Sequence, residues 1–517
     1  MGKTTYFRQQ AFTLFLLLGL WGTILSAAPA AAVSPQQDGD KVVIGTYRTL
    51  RSDILDEDRL LLIHLPEDYE QTGLSYPVLY LLYGRDVDNY FAHAVMISEK
   101  LGGTGEMPPM IIVGVANTNR YRDNLPVSIR GREDSGGAAK YLQFFEKELF
   151  SFIEQKYRTK PFRILAGPQA GAVFSLYSLI TRPDLFHAVI SENPFMNPEN
   201  AAYLFPLAKE FFQKTPSLRR SLYIECENNE RPTDLEYAHK LEDLLHSSTP
   251  ENFRFRIDFR EPSGYFIPPL PFPEGFRMIF EGHKLPEDFV TNSVQDLIDY
   301  YENTSKKLGF QVDAPDLILM LEGDKLNRRG KTKEAIAVFE YQLTLYPKSL
   351  NAFWQLGEIH RNLGMPEKAR DYYKRFLAIR SRDVAMVYSR LEQVEKMIAG
   401  SAAFRMEKEI RSNGIKSGLK VFKDIRSDPE NKLYFDESEF NGLGYRLMTG
   451  GRIEEALRVF ELNVEMYPGS ANAYDSLAEA WMKNGNKKKA LRFYKKSLEL
   501  NPDNQNAAKI IEELTKK

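Results

Sequence analysis

Short apolar runs separated by turn residues fill the first part of the chain, and helical periodicity fills the rest. Val78–Leu82 (VLYLL), Met110–Val115 (MIIVGV) and Phe162–Ala166 (FRILA) read as strands buried on both faces, because all three are short, mainly apolar runs with turn residues nearby. Between the last two, Gly136–Tyr157 places Tyr141, Phe144, Phe145, Leu149, Phe152 and Ile153 at helical spacing. Further along, Ala188–Ser191, Leu222–Cys226 and Phe253–Phe259 read as strands, and Ala201–Gln213 and Thr233–Leu245 as helices. Alternation of this kind over about 41–287 predicts an α/β fold, a mostly parallel sheet covered by helices.

From about residue 288 the strand signal stops. Gly330, Ala335, Phe339 and Pro347 recur 34 residues on as Gly364, Ala369, Tyr373 and Ser381. Gly451, Ala456, Phe460 and Pro468 recur at the same interval as Gly485, Ala490, Tyr494 and Pro502. Small residues stand where two helices cross closely, and aromatics fill the space between them. This pattern resembles the tetratricopeptide repeat. It predicts an all-α domain over 316–517, with repeats at about 316–349, 350–383, 437–470 and 471–504. Asp503–Lys517 is expected to cap the array, and 384–436 to hold a degenerate repeat or a connecting helix pair. The resulting division is a signal peptide over 1–32, an α/β domain over 33–287, a helical linker over 288–315 and the repeats.

The α/β part resembles the putative-esterase branch of the α/β-hydrolases, the group that includes enterochelin and ferric-siderophore esterases. The resemblance rests on Tyr76–Gly84 (YPVLYLLYG), Pro108–Arg122, Asp134–Thr159 and Arg163–Leu179 (RILAGPQAGAVFSLYSL). An active hydrolase of this class runs from a strand through G-x-S-x-G into a helix, and the sharp turn exposes the serine oxygen. Here the turn reads Gly167-Pro168-Gln169-Ala170-Gly171. Gln169 holds the serine position, and a primary amide has no proton to lose near neutral pH and is a poor nucleophile. Related esterases carry the histidine in a loop of the form D-H-G-S-V-P-L-P. The corresponding stretch, Glu261–Leu270, contains no histidine, and Gly264 occupies its position. The acid belongs after the strand ending at Cys226, where Glu227 and Glu230 stand; without a histidine an acid has nothing to orient. Two losses in one triad predict a dead catalytic centre. The resemblance also implies oxyanion-type donors at the Ala170 N–H and near Gly84 or Arg85, free to meet a carboxylate or carbonyl. The backbone at Gln169 is expected to be either relaxed or strained without catalytic purpose, and a positive φ excludes relaxation.

Charge and composition narrow the partners. A net charge of −2 on 517 residues gives no reason to expect nucleic acid. Lys3 and Arg8, the apolar run Ala11–Leu25 and Ala30-x-Ala32 have the layout of a cleaved signal peptide, with no stable membrane insertion afterwards. The protein is therefore expected to be exported, to the periplasm or beyond. Cys226 is the single cysteine, so no internal disulfide forms, and it reads as a buried small apolar residue. His64, His93, His187, His239, His246, His283 and His360 are scattered without metal-ligand spacing, and no cofactor or metal is called for.

The repeats are expected to present a groove to a protein or peptide, lined from the first helix of each repeat. That points to Asn351, Trp354, Glu358 and Arg361, and to Asn441, Tyr445, Asn472, Asp475 and Glu479, with Trp354 as an exposed anchor. Three functions compete on the sequence: a non-catalytic scaffold acting through the repeats, a small-molecule binder using the old esterase pocket, and a working carboxylic-ester hydrolase with non-standard residues.

Overall fold

Apolar runs become central strands here because both of their faces are covered. The computed structural model describes residues 43–515 except 68, 71, 84–86, 229–231, 262–270 and 381–383. Within Gln37–Ser349 eight strands form one sheet. They are β1 Thr46–Ser52, β2 Glu57–His64, β3 Tyr76–Tyr83, β4 Ile111–Ala116, β5 Thr159–Pro168, β6 Ala188–Glu192, β7 Ser221–Glu227 and β8 Arg254–Arg260. Their spatial order is β1-β2-β4-β3-β5-β6-β7-β8. β2 runs antiparallel to both β1 and β4, and every pairing from β4 across to β8 is parallel. The mostly parallel sheet expected from the alternation is therefore present, with an antiparallel edge that the sequence reading did not single out. For β1, TYRTLRS, the reason is that its residues are mostly exposed and carry no apolar run; β2, EDRLLLIH, does carry one, Leu60–Ile63, which the strand reading begun at Val78 leaves out.

One face of the sheet packs an aromatic cluster. Tyr80 of β3 meets Phe145, Phe150 and Phe186, and Tyr141 meets Phe144, Phe145 and Phe174. The segment expected as one helix over 136–157 runs as Ala138–Phe144, a π turn at Phe145–Leu149, and Phe150–Lys156. The wider turn accommodates consecutive buried residues that a strict 3.6 period would rotate out of the core. Cys226 is buried against this core, as expected of a small apolar residue. After β8 come the helices Phe272–Ile279, Val294–Leu308, Asp316–Arg328 and Thr332–Leu345. The helix at 294 starts on a Ser293/Asp296 capping box.

In the second unit, Leu350–Lys517, every named element among the described residues is a helix. Its helices pair as Leu350–Asn362 with Pro366–Ile379, Ala402–Asn413 with Ile415–Ser427, Glu437–Thr449 with Ile453–Met466, and Ala471–Lys483 with Lys487–Leu500. The glycine turns recur in one left-handed conformation, with φ of 66° at Gly364, 78° at Gly451 and 79° at Gly485. The close crossing is equally explicit. A Cβ on Gly357 would fall 2.4 Å from the Tyr373 ring, and one on Gly444 2.5 Å from the Phe460 ring. Among the described residues no helix is long and apolar enough to cross a membrane.

Candidate functional site

β5 ends at Pro168, the chain turns at Gln169, and the helix Ala170–Thr181 begins at once. The turn is tight because Gly167 and Gly171 leave room for it. A Cβ on Gly167 would stand 2.9 Å from the Gly171 carbonyl carbon and 3.0 Å from Leu82 Cβ. Gln169 has φ 50° and ψ −109°, and its side chain is exposed. This excludes the relaxed alternative. The backbone holds the conformation of a nucleophile turn although the residue is an amide. Three neighbours pin it. The Gln169 N–H donates to the Glu192 carbonyl at 2.8 Å, and its own carbonyl accepts from the N–H of Phe195 at 3.1 Å and of Val173 at 3.2 Å. A non-glycine residue in such a region stores about 1–3 kcal/mol. Replacing Gln169 by glycine is therefore expected to raise the unfolding free energy by about 1 kcal/mol, net of glycine's greater backbone entropy. Urea unfolding of the two proteins measures it, and an unchanged or lowered midpoint would show that the turn is unstrained.

The surroundings of the turn are polar and buried. Glu192, at the end of β6, accepts a hydrogen bond from Tyr90 at 2.6 Å, and the Tyr90 ring lies 5.1 Å from Phe272. Asn193 follows with φ 45° and accepts the Glu227 N–H at 2.7 Å. Glu227 is the last residue of β7, at the edge where a triad acid would sit. Two residues earlier, burial pushes the Glu225 carboxyl up to about 7, partly opposed by Arg260, whose Nε lies 3.0 Å away. The sequence reading missed the Tyr90–Glu192 pair and Glu225. Their one signal was an acidic residue inside an apolar strand.

No histidine with a described partner serves this turn. His64 binds Glu99 and the Ile44 carbonyl, His187 Nδ1 accepts the Arg163 N–H, His283 Nδ1 bonds the Gly105 carbonyl, and His360 Nδ1 bonds the Leu356 carbonyl. His239 is stacked on Phe259. Of the oxyanion-type positions, Ala170 opens the helix, where a first-turn N–H lacks an intrahelical acceptor. Gly84, Arg85, Glu230 and Gly264 lie outside the described residues, as do 1–32 with the expected signal peptide.

A second polar cluster borders the same end of the sheet. Arg59 at the start of β2 is wholly buried, with Asp123 Oδ2 2.8 Å from Nη1 and Glu57 Oε1 2.5 Å from Nη2. Its guanidinium carbon stands 5.1 Å from the Tyr141 ring centre. Arg122 bridges the same two acids.

In the helical unit the expected groove residues separate. Arg361 and Tyr445 line one cavity of about 920 Å³, together with Arg411, Tyr434 and Arg446. Glu358 lies behind it, buried and bonded to Arg361, Tyr373 and Arg390. Tyr445 donates to Glu479 at 2.9 Å. Asn351 and Asn441 are half-buried, Asn472 bonds Glu437, and Asp475 accepts from Asn504. Trp354 corrects its expectation. It is 0% exposed, packed 6.0 Å from the Tyr373 ring, so it is a core residue and no surface anchor. It stands one helical turn before Gly357 and shares the face that receives Tyr373.

Residues 52–265 match the family described as Putative esterase, and residues 320–384 and 471–504 match tetratricopeptide repeats. The ferri-bacillibactin esterase BesA of Bacillus subtilis (strain 168) is 31% identical over 138 residues, which is 23% of this chain and 48% of that protein. The chain thus spans about half the length of this curated relative. Among solved structures, an IroE-like serine hydrolase from Shewanella oneidensis aligns at 26% identity and a TM-score of 0.49 over 58% of this chain and 99% of its own. Siderophore hydrolase EstB from Aspergillus nidulans aligns at 18% identity and 0.39, over 49% and 100%. The chain carries a domain of the Putative esterase family, built on a mostly parallel eight-stranded sheet, followed by tetratricopeptide repeats.

Proposed function

We propose that this is an exported esterase-fold protein that acts by binding and not by serine hydrolysis, engaging a protein or peptide through its repeats. One observation carries the reading. The nucleophile turn is intact in backbone and glycine packing, yet the side chain it exposes is the amide of Gln169. The sequence adds the absence of any histidine from Glu261–Leu270. An amide cannot form the acyl intermediate, and loss of a triad serine alone lowers kcat about 10⁶-fold. The cavity bearing Arg361, Arg411, Arg446 and Tyr445 supports the repeat unit as the working surface. Export rests on the basic, apolar and Ala-x-Ala segments of residues 1–32.

The retained turn also supports a second reading, a ligand held at the old esterase site by the Gln169 amide. The relatives' names suggest an ester of siderophore type as that ligand. Turnover of p-nitrophenyl acetate by the full chain, beside Gln169→Ala and Gln169→Ser, tests the main proposal. All three are expected to agree within about threefold and to exceed buffer only weakly, the residue that an oxyanion site alone supplies. Robust turnover lost in Gln169→Ala would sink the proposal, and so would robust turnover shared by all three.

A further inference from the structure

A cavity of about 390 Å³ lies at the opposite end of the central strands, where β3 and β5 begin. It is separated from Gln169 by the length of β5. Its walls are apolar and stiff, with Pro108, Pro109 and Pro315 among them, and Tyr76 and Tyr346 add aromatic surface. Its polar lining is one-sided. Glu67, Glu99, Asp313 and Asp316 supply four carboxyls against one basic side chain, Lys160. Lys160 is already engaged, donating to Asp313 at 2.7 Å and to the Gln311 carbonyl at 2.6 Å.

His283 lines the same cavity and is 1% exposed. Its Nδ1 lies 2.9 Å from the Gly105 carbonyl, an atom that can only accept, so Nδ1 carries the proton. Burial holds the ring pKa down to about 4, partly offset by that hydrogen bond, so the ring is neutral at pH 7. Nε2 is therefore a lone-pair acceptor, and it has no hydrogen-bond partner among the described residues. An unpaired buried acceptor is unfavourable, and a donor brought by a ligand would satisfy it. Asp316 adds a carboxyl that accepts from Gln342 at 2.9 Å, and burial raises its pKa. A cation beside it would remove that penalty.

The acceptors are not gathered for a metal. Among the described residues no three His, Cys, Asp or Glu side chains are disposed to hold one ion. Spaced acceptors on apolar walls fit a cation whose charges are themselves spaced along an aliphatic body. We propose that this cavity is a binding site for a small aliphatic polyamine, which places ammonium groups on the carboxylates and His283 and methylenes on the prolines and tyrosines.

Isothermal titration calorimetry of the full chain with spermidine and with putrescine tests this. Saturable binding at one site is expected, weakened about tenfold or more by Asp316→Asn, by Glu99→Gln and by His283→Phe, and weakened by added salt. Gly102→Leu keeps the test sharp if a charge variant destabilises the fold. Its Cβ would lie in ordinary contact, 3.7 Å from Pro109 Cα, and its side chain would occupy the cavity lining. It should reduce binding by a similar factor while the unfolding curve stays in place. The proposal fails if neither amine gives saturable heat. It fails equally if binding is multivalent and indifferent to all four variants, which would mean a diffuse acidic surface. It also fails if acetate binds in place of the amines, through Lys160.

Discussion

Arg59→Ala is expected to destabilise the esterase-fold unit by about 3–5 kcal/mol, the range for removing one partner of a buried ion pair. The side chain is fully buried and Asp123 is 1% exposed, so alanine would leave a carboxylate without water and without its 2.8 Å partner. Arg122 cannot compensate fully, since it already bonds Asp123 Oδ1 and both oxygens of Glu57. The loss also removes the guanidinium from the faces of Tyr141 and Phe144. Urea unfolding followed by far-ultraviolet circular dichroism reads the effect. A change under about 1 kcal/mol would show that water reaches Asp123. Replacing Arg59 by methionine and Asp123 by leucine together should recover much of the loss, because a paired apolar replacement leaves no stranded charge. The difference between wild type and Arg59→Ala should narrow in acid. Burial opposes ionisation of Glu57, but the Arg122 hydrogen bonds and the Arg59 charge outweigh it and hold the carboxyl below its ordinary value. A depressed carboxyl contributes stability that is full above its unfolded pKa and is lost as pH falls through the folded one.

Trp354→Ala is expected to cost the repeat unit about 3–5 kcal/mol, as for other fully buried large aromatics. The indole is 0% exposed, and its partner Tyr373 packs directly against the backbone of Gly357, so truncation leaves a cavity in a closely packed crossing. Beyond the expected signal peptide the chain has two tryptophans, Trp354 and Trp481, and both lie in this unit. Indole fluorescence therefore reports the repeat unit selectively, and Trp481 remains as the probe in the variant. The alternative role makes the opposite prediction. A surface anchor would weaken partner binding and leave the unfolding midpoint in place, and that outcome would overturn the core assignment.

The two residues show where sequence reading succeeds and where it stops. The strands β3 to β7 are legible because burial on both faces writes itself as a continuous apolar run; β8 (RFRIDFR) is only half-buried and shows instead apolar positions alternating with charged ones, and the helix Val87–Gly103 between β3 and β4 is not among the elements the pattern singles out. The 34-residue period was legible because every copy solves the same crossing with a small residue (Gly323, Gly357, Gly444 and Ala478) and an aromatic ring. β1 and β2 were not singled out; β1 is an exposed edge strand that needs no apolar pattern, whereas β2 carries the short apolar run Leu60–Ile63 between charged residues. Trp354 lay on the first helix of its repeat, and one-dimensional spacing alone did not settle which side of that helix meets its partner.

At the candidate site the sequence by itself determined which residues stand there: the amide of Gln169 at the turn, and no histidine in Glu261–Leu270. Residue identity decides whether a proton can be abstracted or a nucleophile formed, and no fold changes that. Only the tertiary structure decided the conformation of Gln169, because hydrogen bonds with Glu192 and Phe195 and the packing of Gly167 and Gly171 against Leu82 hold φ at 50°. It also decided that His283 faces Gly105, 178 residues away, and lines a cavity with Lys160, Asp313 and Asp316. Local pattern records what each segment must bury; which distant segments meet is set by strand order and chain reversal, which leave no periodic trace in the residues themselves.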